Sequence, residues 1–157
     1  MKQRTLIISA FASLLLISMP ARAAVVTNSS VPITLDVFVP CADGGVGETI
    51  EVSGFVHVQS SVTFDRAGGV HFSEQVNPQG VGGTGLTTGD KYRAIGLTRD
   101  DFSTTSSGVL QLTFINRFDM IGQGPGNNFS VHETEHVTVL PDGTVTVFFD
   151  NLSITCK

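Results

Sequence analysis

The sequence contains no tryptophan and a single tyrosine, Tyr92. Sugar platforms on protein surfaces are usually built from those rings, so a carbohydrate-binding module is disfavoured, although 11 phenylalanines soften the point. No G-x-S-x-G stretch occurs, which removes the nucleophile elbow of a serine hydrolase. Basic residues are scarce, with 9 Lys+Arg against 14 Asp+Glu. Beyond residue 23 the balance is six against fourteen, a net charge of −8. A surface of that sign repels nucleic acid and anionic lipid, so no nucleic-acid partner is expected. After residue 23 no stretch repeats its apolar residues at a period of 3.6, and helices are not expected.

Long hydrophobic runs are also missing, except for Leu6 to Met19. Lys2 and Arg4 precede that run and Pro20 ends it. Ala21-Arg22-Ala23 then supplies the small-x-small pattern that signal peptidase cuts. Residues 1–23 are therefore expected to be an export signal cleaved near Ala23, leaving a secreted or periplasmic chain. The run falls short of the ~20 residues a spanning helix needs. No cysteine stands directly after the cut, so a lipid anchor is not expected, and no second apolar run follows, so stable membrane insertion is not expected either. Residues 24–30 read as a flexible leader and residues 31–157 as a single β domain.

Cysteine is limited to Cys41 and Cys156. In an oxidising compartment the default for such a pair is a disulfide. Closing a loop of that length is worth roughly 4–5 kcal/mol in the chain-entropy view. The bond also requires the first and last strands to be neighbours.

What the sequence has in abundance is alternation. Ile33, Leu35, Val37 and Val39 share one face of a strand; Ile50, Val52, Val56, Val58, Val62 and Phe64 share one face of the next. Asp65-Arg66-Ala67-Gly68-Gly69 reads as a turn, and pairing Phe64 with Val70 puts Val62 opposite Phe72 and Val58 opposite Val76. All the apolar residues then fall on one side, which checks the register. Further strands are expected near Tyr92–Thr98, Val109–Ile121, Phe129–Leu140 and Thr144–Ile154, the last two joined by Pro141-Asp142-Gly143. About seven or eight antiparallel strands in a near-meander, with tied ends, suggest a β-barrel, with a β-sandwich as the alternative.

Two stretches imitate well-known motifs. His132-Glu133-Thr134-Glu135-His136 spells H-E-x-x-H, the zinc site of metalloproteases. That chemistry needs a helix, on which residues i and i+4 are neighbours. On a strand they stand ~13 Å apart, too far for two ~2 Å bonds to one ion. Composition and the following turn place the stretch on a strand, so a metal-dependent hydrolase is disfavoured and neither a metal nor a cofactor is expected. Pairing Leu140 with Thr144 puts His136 opposite Phe148 and His132 opposite Leu152, and neither partner is a ligand. Gly80-Val81-Gly82-Gly83-Thr84-Gly85 spells G-x-G-x-x-G, but no helical pattern follows it. It reads as a flexible connection, and Asp100-Asp101 as a turn.

Glu133 and Glu135 point to the side opposite the histidines, together with Val131, Val137 and Val139. Across the last hairpin that side takes Val145, Val147 and Phe149. A symmetric hairpin from the preceding strand puts Arg117 opposite Glu133, and a shift by one residue brings Phe118 there instead. Arg117, Glu133 and Glu135 are the candidate ligand-binding residues, polar handles in an apolar cavity. No catalytic residue is assigned.

Asn77-Pro78-Gln79-Gly80, Gly83-Thr84-Gly85-Leu86-Thr87-Thr88-Gly89, Gly122-Gln123-Gly124-Pro125-Gly126-Asn127-Asn128-Phe129, His132-Glu133-Thr134 and Asp150-Asn151 before Cys156 carry a resemblance. The chain resembles a group of short exported bacterial β-domain proteins of unassigned function. The resemblance implies a bacterial source and a single secreted β domain, and it carries over no catalytic residue. At the level of fold alone the expected barrel is similar to lipocalins and to dirigent and allene oxide cyclase barrels, which licenses no function.

The expected role is that of a secreted non-enzymatic β domain whose partner is a small apolar ligand. The alternative is a structural or protein-interaction domain of the cell exterior. The two differ in whether the spare apolar residues line a hollow or cover an outer surface.

Overall fold

The alternation of the sequence becomes a ladder of seven strands. A computed structural model describes residues 25–157; the expected export signal lies outside the described residues. The strands are β1 (Val25–Val39), β2 (Glu48–Phe64), β3 (Val70–Gly85), β4 (Lys91–Thr104), β5 (Leu110–Gly122), β6 (Phe129–Val139) and β7 (Val145–Cys156), with one helical turn, α1 (Ala42–Gly45), after β1. They lie in one sheet in the order β1-β2-β3-β4-β5-β6-β7, and every neighbouring pair is antiparallel. The all-β meander is as expected. The sheet is not closed: β1 and β7 are its two edges.

It is nevertheless strongly rolled at one end. Six inter-strand steps would hold the edges of a flat sheet ~29 Å apart. The Cys41–Cys156 disulfide joins the ends of β1 and β7 with a Cα–Cα distance of 5.6 Å. The rolled end contains the core: Val39, Ala42, Ile50 and Met120 are fully buried, and Val52, Val81, Tyr92, Ala94 and Phe129 pack with them. These residues define the core face. Towards the far end the same face continues with Val62, Phe72, Phe102, Leu112, Val137 and Phe148, which succeed one another across the sheet.

The Gly-rich stretch Gly80–Gly85 is the end of β3 and not a flexible connection. Its glycines fit because neighbouring backbones close in on them. A Cβ on Gly82 would stand 2.6 Å from the carbonyl oxygen of Tyr92, and one on Gly83 would run into the carbonyl oxygen of Glu51. The register also shifts between Ser53 and Phe55 and between Val76 and Gly82. Bulges of this kind bend a sheet and raise its twist, and here they stand where β2 and β3 enter the rolled end. Gly83→Ala should therefore destabilise the fold by about 1–3 kcal/mol, as overpacking does. An unchanged urea midpoint would remove this explanation of the glycines.

Three other expectations are corrected. The flexible leader is, from Val25 on, the first part of β1, with Val25–Ser30 paired to His57–Val62 of β2. The long β2 offers an unpaired edge there, and the Asn28 side chain bonds the ring of His57. Asp100-Asp101 lies within β4 rather than on a turn, so the two carboxylates point to opposite faces. Finally, the β6–β7 pairing contains a bulge at Thr138/Val139. It moves the register by one, so His136 faces Phe149, His132 faces Ser153 and Glu133 faces Leu152.

Candidate functional site

HETEH lies within β6, on an extended backbone. His132 and His136 are on the face opposite the core, and Glu133 and Glu135 are on the core face. The Nδ1 atom of His136 is 2.8 Å from the Thr113 hydroxyl, directly across the β5–β6 pair. His71, Asp101, Thr113 and His136 line a polar hollow of about 230 Å³ on that outer face. Among the described residues no group of three or more His, Cys, Asp or Glu is placed to hold a metal ion. The helix that the zinc-protease chemistry needs is replaced by a strand.

The core face has a different character. Where the bulges bend β2 and β3, a hollow of about 150 Å³ opens on it. Val52, Val56, Val76, Pro78 and Phe118 form its apolar wall, and Thr98 is a polar member of that wall. Thr98 donates a 3.2 Å hydrogen bond to the Asn116 side chain, and Asn116 is paired with Glu133. Val76, Thr98, Asn116, Glu133 and Leu152 thus form one row across β3 to β7.

The next row towards the far end is Ser60, Glu74, Asp100, Phe114, Glu135 and Asp150. Two residues along a strand amount to ~7 Å, so Glu74 and Asp100 stand one step from Val76 and Thr98 in the wall of the hollow, with Glu135 and Asp150 further along the same row. Ser60 donates a 3.0 Å hydrogen bond to Glu74. Burial, and then the neighbouring charges of Glu74 and Asp101, push the Asp100 carboxyl above its ordinary range. The arrangement concentrates negative charge beside an apolar surface.

Of the three candidate ligand handles, the fold brings two together. Glu133 and Glu135 share the core face. Arg117 does not join them: β5 and β6 pair Asn116 with Glu133 and Arg117 with His132, which places Arg117 on the outer face. Lys91, Arg93 and Arg99 are on the outer face by the same alternation, so every basic residue carried by a strand is turned away from the hollow. Glu74 and Asp100 were not among the candidates. Glu74 stands between Phe72 and Val76 in the same alternation, and that signal could have found it. Asp100 had no such signal once it was read as part of a turn.

Fold and site together describe an all-β sheet rolled and disulfide-tied at one end, with an apolar hollow on its core face and carboxylates in the neighbouring row. Compared with protein-family models, curated proteins and solved structures, the chain finds no match.

Proposed function

We propose that the protein is an exported, non-enzymatic binding module whose core face takes a small ligand with an apolar body and a positive charge. The observation that carries this reading is the hollow itself. Its wall is almost wholly apolar, carboxylates stand in the adjoining rows, and the strand-borne Lys and Arg are all on the other face.

Size narrows the ligand. Sites for drug-sized molecules are ~300–1,000 Å³, and an apolar cavity of ~150 Å³ holds a molecule such as benzene. About 150 Å³ therefore admits a single ring or a short alkyl chain, not a whole lipid. With Arg117 on the outer face the remaining handles are all acidic, which favours an ammonium or guanidinium head over a carboxylate one. The export reading is supported by the N-terminal apolar run and by a disulfide suited to an oxidising compartment. No helix among the described residues is long and apolar enough to cross a membrane.

Calorimetric titration with hexylammonium and with hexanoate tests the reading. Hexylammonium should bind, hexanoate should bind at least ~10-fold more weakly, and Glu133→Gln should weaken hexylammonium ~5-fold, the worth of one partly exposed ion pair. Equal binding of the two probes would remove the role of the carboxylates. Binding of neither would remove the ligand reading altogether.

A further inference from the structure

We propose that β7 is the surface through which two copies of this chain pair edge to edge, as an antiparallel ladder about a two-fold axis near Phe149. The inference is independent of the ligand reading, because the hollow is walled by residues of β1 to β5 and none of β7.

The two edges of the sheet are built differently. Natural edge strands are usually blunted by proline, by lysine or other charge, or by brevity. β1 carries Pro32, which has no N–H to offer a partner, and Asp36. β7 is 12 residues long and contains no proline, glycine, lysine or arginine; its one charge is Asp150. All 12 of its residues are exposed. Six of them are large and apolar, Val145, Val147, Phe148, Phe149, Leu152 and Ile154, with 45–67% of their surface open to solvent. They occupy both faces of the strand, so packing against one face of the sheet does not account for them.

The size of this surface is right for a second copy. Six side chains of ~150–200 Å², each about half open, come to ~500 Å² per copy before the unpaired peptide edge is added, against ~800 Å² per partner in a standard interface. Charge selects the same place: the chain is acidic overall, with a net charge of −5, and β7 presents a nearly neutral strip where two copies can approach. Pairing β7 with the β1 of another copy in one continuous sheet would be parallel, would meet Pro32 and, being heterologous, would leave a free β1 and a free β7 on each pair of copies. A β7–β7 pair is isologous and ends with two copies.

The disulfide limits the register. Cys41 occupies the space beside Cys156, so the partner strand lies against the part of β7 before that end. A two-fold at Phe149 pairs the two Phe149 rings, a favourable cross-strand contact. It also sets each Asp150 against Phe148 of the other copy and keeps the two carboxylates from facing one another.

Sedimentation equilibrium of residues 24–157 with the disulfide intact should show a dimer. Phe149→Lys should give a monomer that keeps its β circular-dichroism spectrum, whereas Val26→Lys on the opposite edge should remain dimeric. If Phe149→Lys does not fold, Asn151→Lys, also exposed on β7, takes its place. Phe149→Cys should cross-link copies in pairs under mild oxidation, with Cys41–Cys156 retained. A monomeric parent protein at ~100 µM, well above the dissociation constant of a specific dimer, would overturn the proposal. So would a dimer that survives a folded lysine variant of β7, or an open-ended series of oligomers, which would assign the contact to β1.

Discussion

Replacing Cys41 and Cys156 together by serine should lower the unfolding free energy by about 4–5 kcal/mol, the loop-closure value for a loop of this length. The bond joins residues 115 positions apart, so it removes much of the freedom of the unfolded chain. Its effect in the folded state points the same way. Edges β1 and β7 share no ladder, and the disulfide is the covalent tie between them. The fully buried Val39 and Ala42 lie in the short segment leading into and out of Cys41, and the buried Phe129 is paired with Cys156. Loosening the tie gives the rolled end a way to open and to wet the part of the molecule where the core is concentrated. Domains of this kind are stable by ~5–15 kcal/mol in total, so the variant should be marginal. Urea unfolding of the disulfide-bonded protein and of the double serine variant measures the difference. A loss below ~1 kcal/mol would mean that packing alone holds the roll, since the entropic effect of so long a loop would then be offset elsewhere.

How much of this arrangement was legible in the sequence differs from hairpin to hairpin. The β2–β3 register was legible because both strands alternate cleanly on either side of a short turn. Asp65 fixes that turn by accepting 2.8 Å hydrogen bonds from the backbone N–H groups of Ala67 and Gly69, and Phe64 does face Val70. The β6–β7 register was not legible, for a physical reason. Register is specified by a difference between faces, and β7 is apolar on both, with Val145, Val147 and Phe149 competing against Phe148, Leu152 and Ile154. An extra residue at the bulge reverses the faces of β7 without disturbing any visible pattern. The β5–β6 register, and with it the place of Arg117, depends on the connection from Gln123 to Asn128. There Asn127 donates a 2.7 Å bond to Asp90, and the Gly122 N–H donates a 3.2 Å bond to the side chain of Asn128. The link to Asp90 comes from 37 positions away, and local pattern cannot reveal it. The Gly80–Gly85 stretch misled in the opposite direction. Glycine commonly signals a turn, but here it serves the close approach of three strands.

The ligand reading inherits this history. Alternation alone puts both carboxylates of β6 on one face, opposite the histidines, and the pairing of β6 makes that face the core face. The arginine expected to accompany them depended on the less determined pairing and fell on the other face. That one-residue difference turns a mixed-charge site into an acidic one and changes the class of ligand that should be tried first.

Replacing Glu48 should be the most damaging change of a single side chain, and its effect should depend on pH. Glu48 opens β2 with a side chain only 2% exposed. Its carboxylate accepts hydrogen bonds from the Tyr92 hydroxyl at 2.6 Å, the Thr88 hydroxyl at 2.9 Å and the backbone N–H groups of Thr88 and Thr87 at 3.1 and 3.3 Å. Gly85 leaves the room for it, since a Cβ there would collide with the carboxylate. Through these contacts one side chain links the start of β2 to the β3–β4 connection and to β4. Burial works against the charge, but the bonds from Tyr92, Thr88 and Thr87 prevail and hold Glu48 below its ordinary value of 4.5. Burial and the nearby carboxylate push the Tyr92 hydroxyl far above its ordinary value of 10.0, so Tyr92 remains a donor. Glu48→Ala would leave that hydroxyl and two backbone N–H groups without their acceptor and should cost about 3 kcal/mol or more. Glu48→Gln keeps the shape but loses the charge, and should cost about 1.5–3 kcal/mol, the worth of hydrogen bonds to a charged group. Because the folded-state value is depressed, the stability that Glu48 supplies is complete above pH ~4.5 and is lost as pH falls through the lower folded value. The gap between the parent protein and Glu48→Gln should therefore be largest near pH 7 and should shrink by pH 3. Urea midpoints of the two proteins at both pH values measure it. Carboxylates elsewhere act on both proteins alike and drop out of the difference, so a gap that stays constant with pH would show that the charge of Glu48 contributes nothing to the fold.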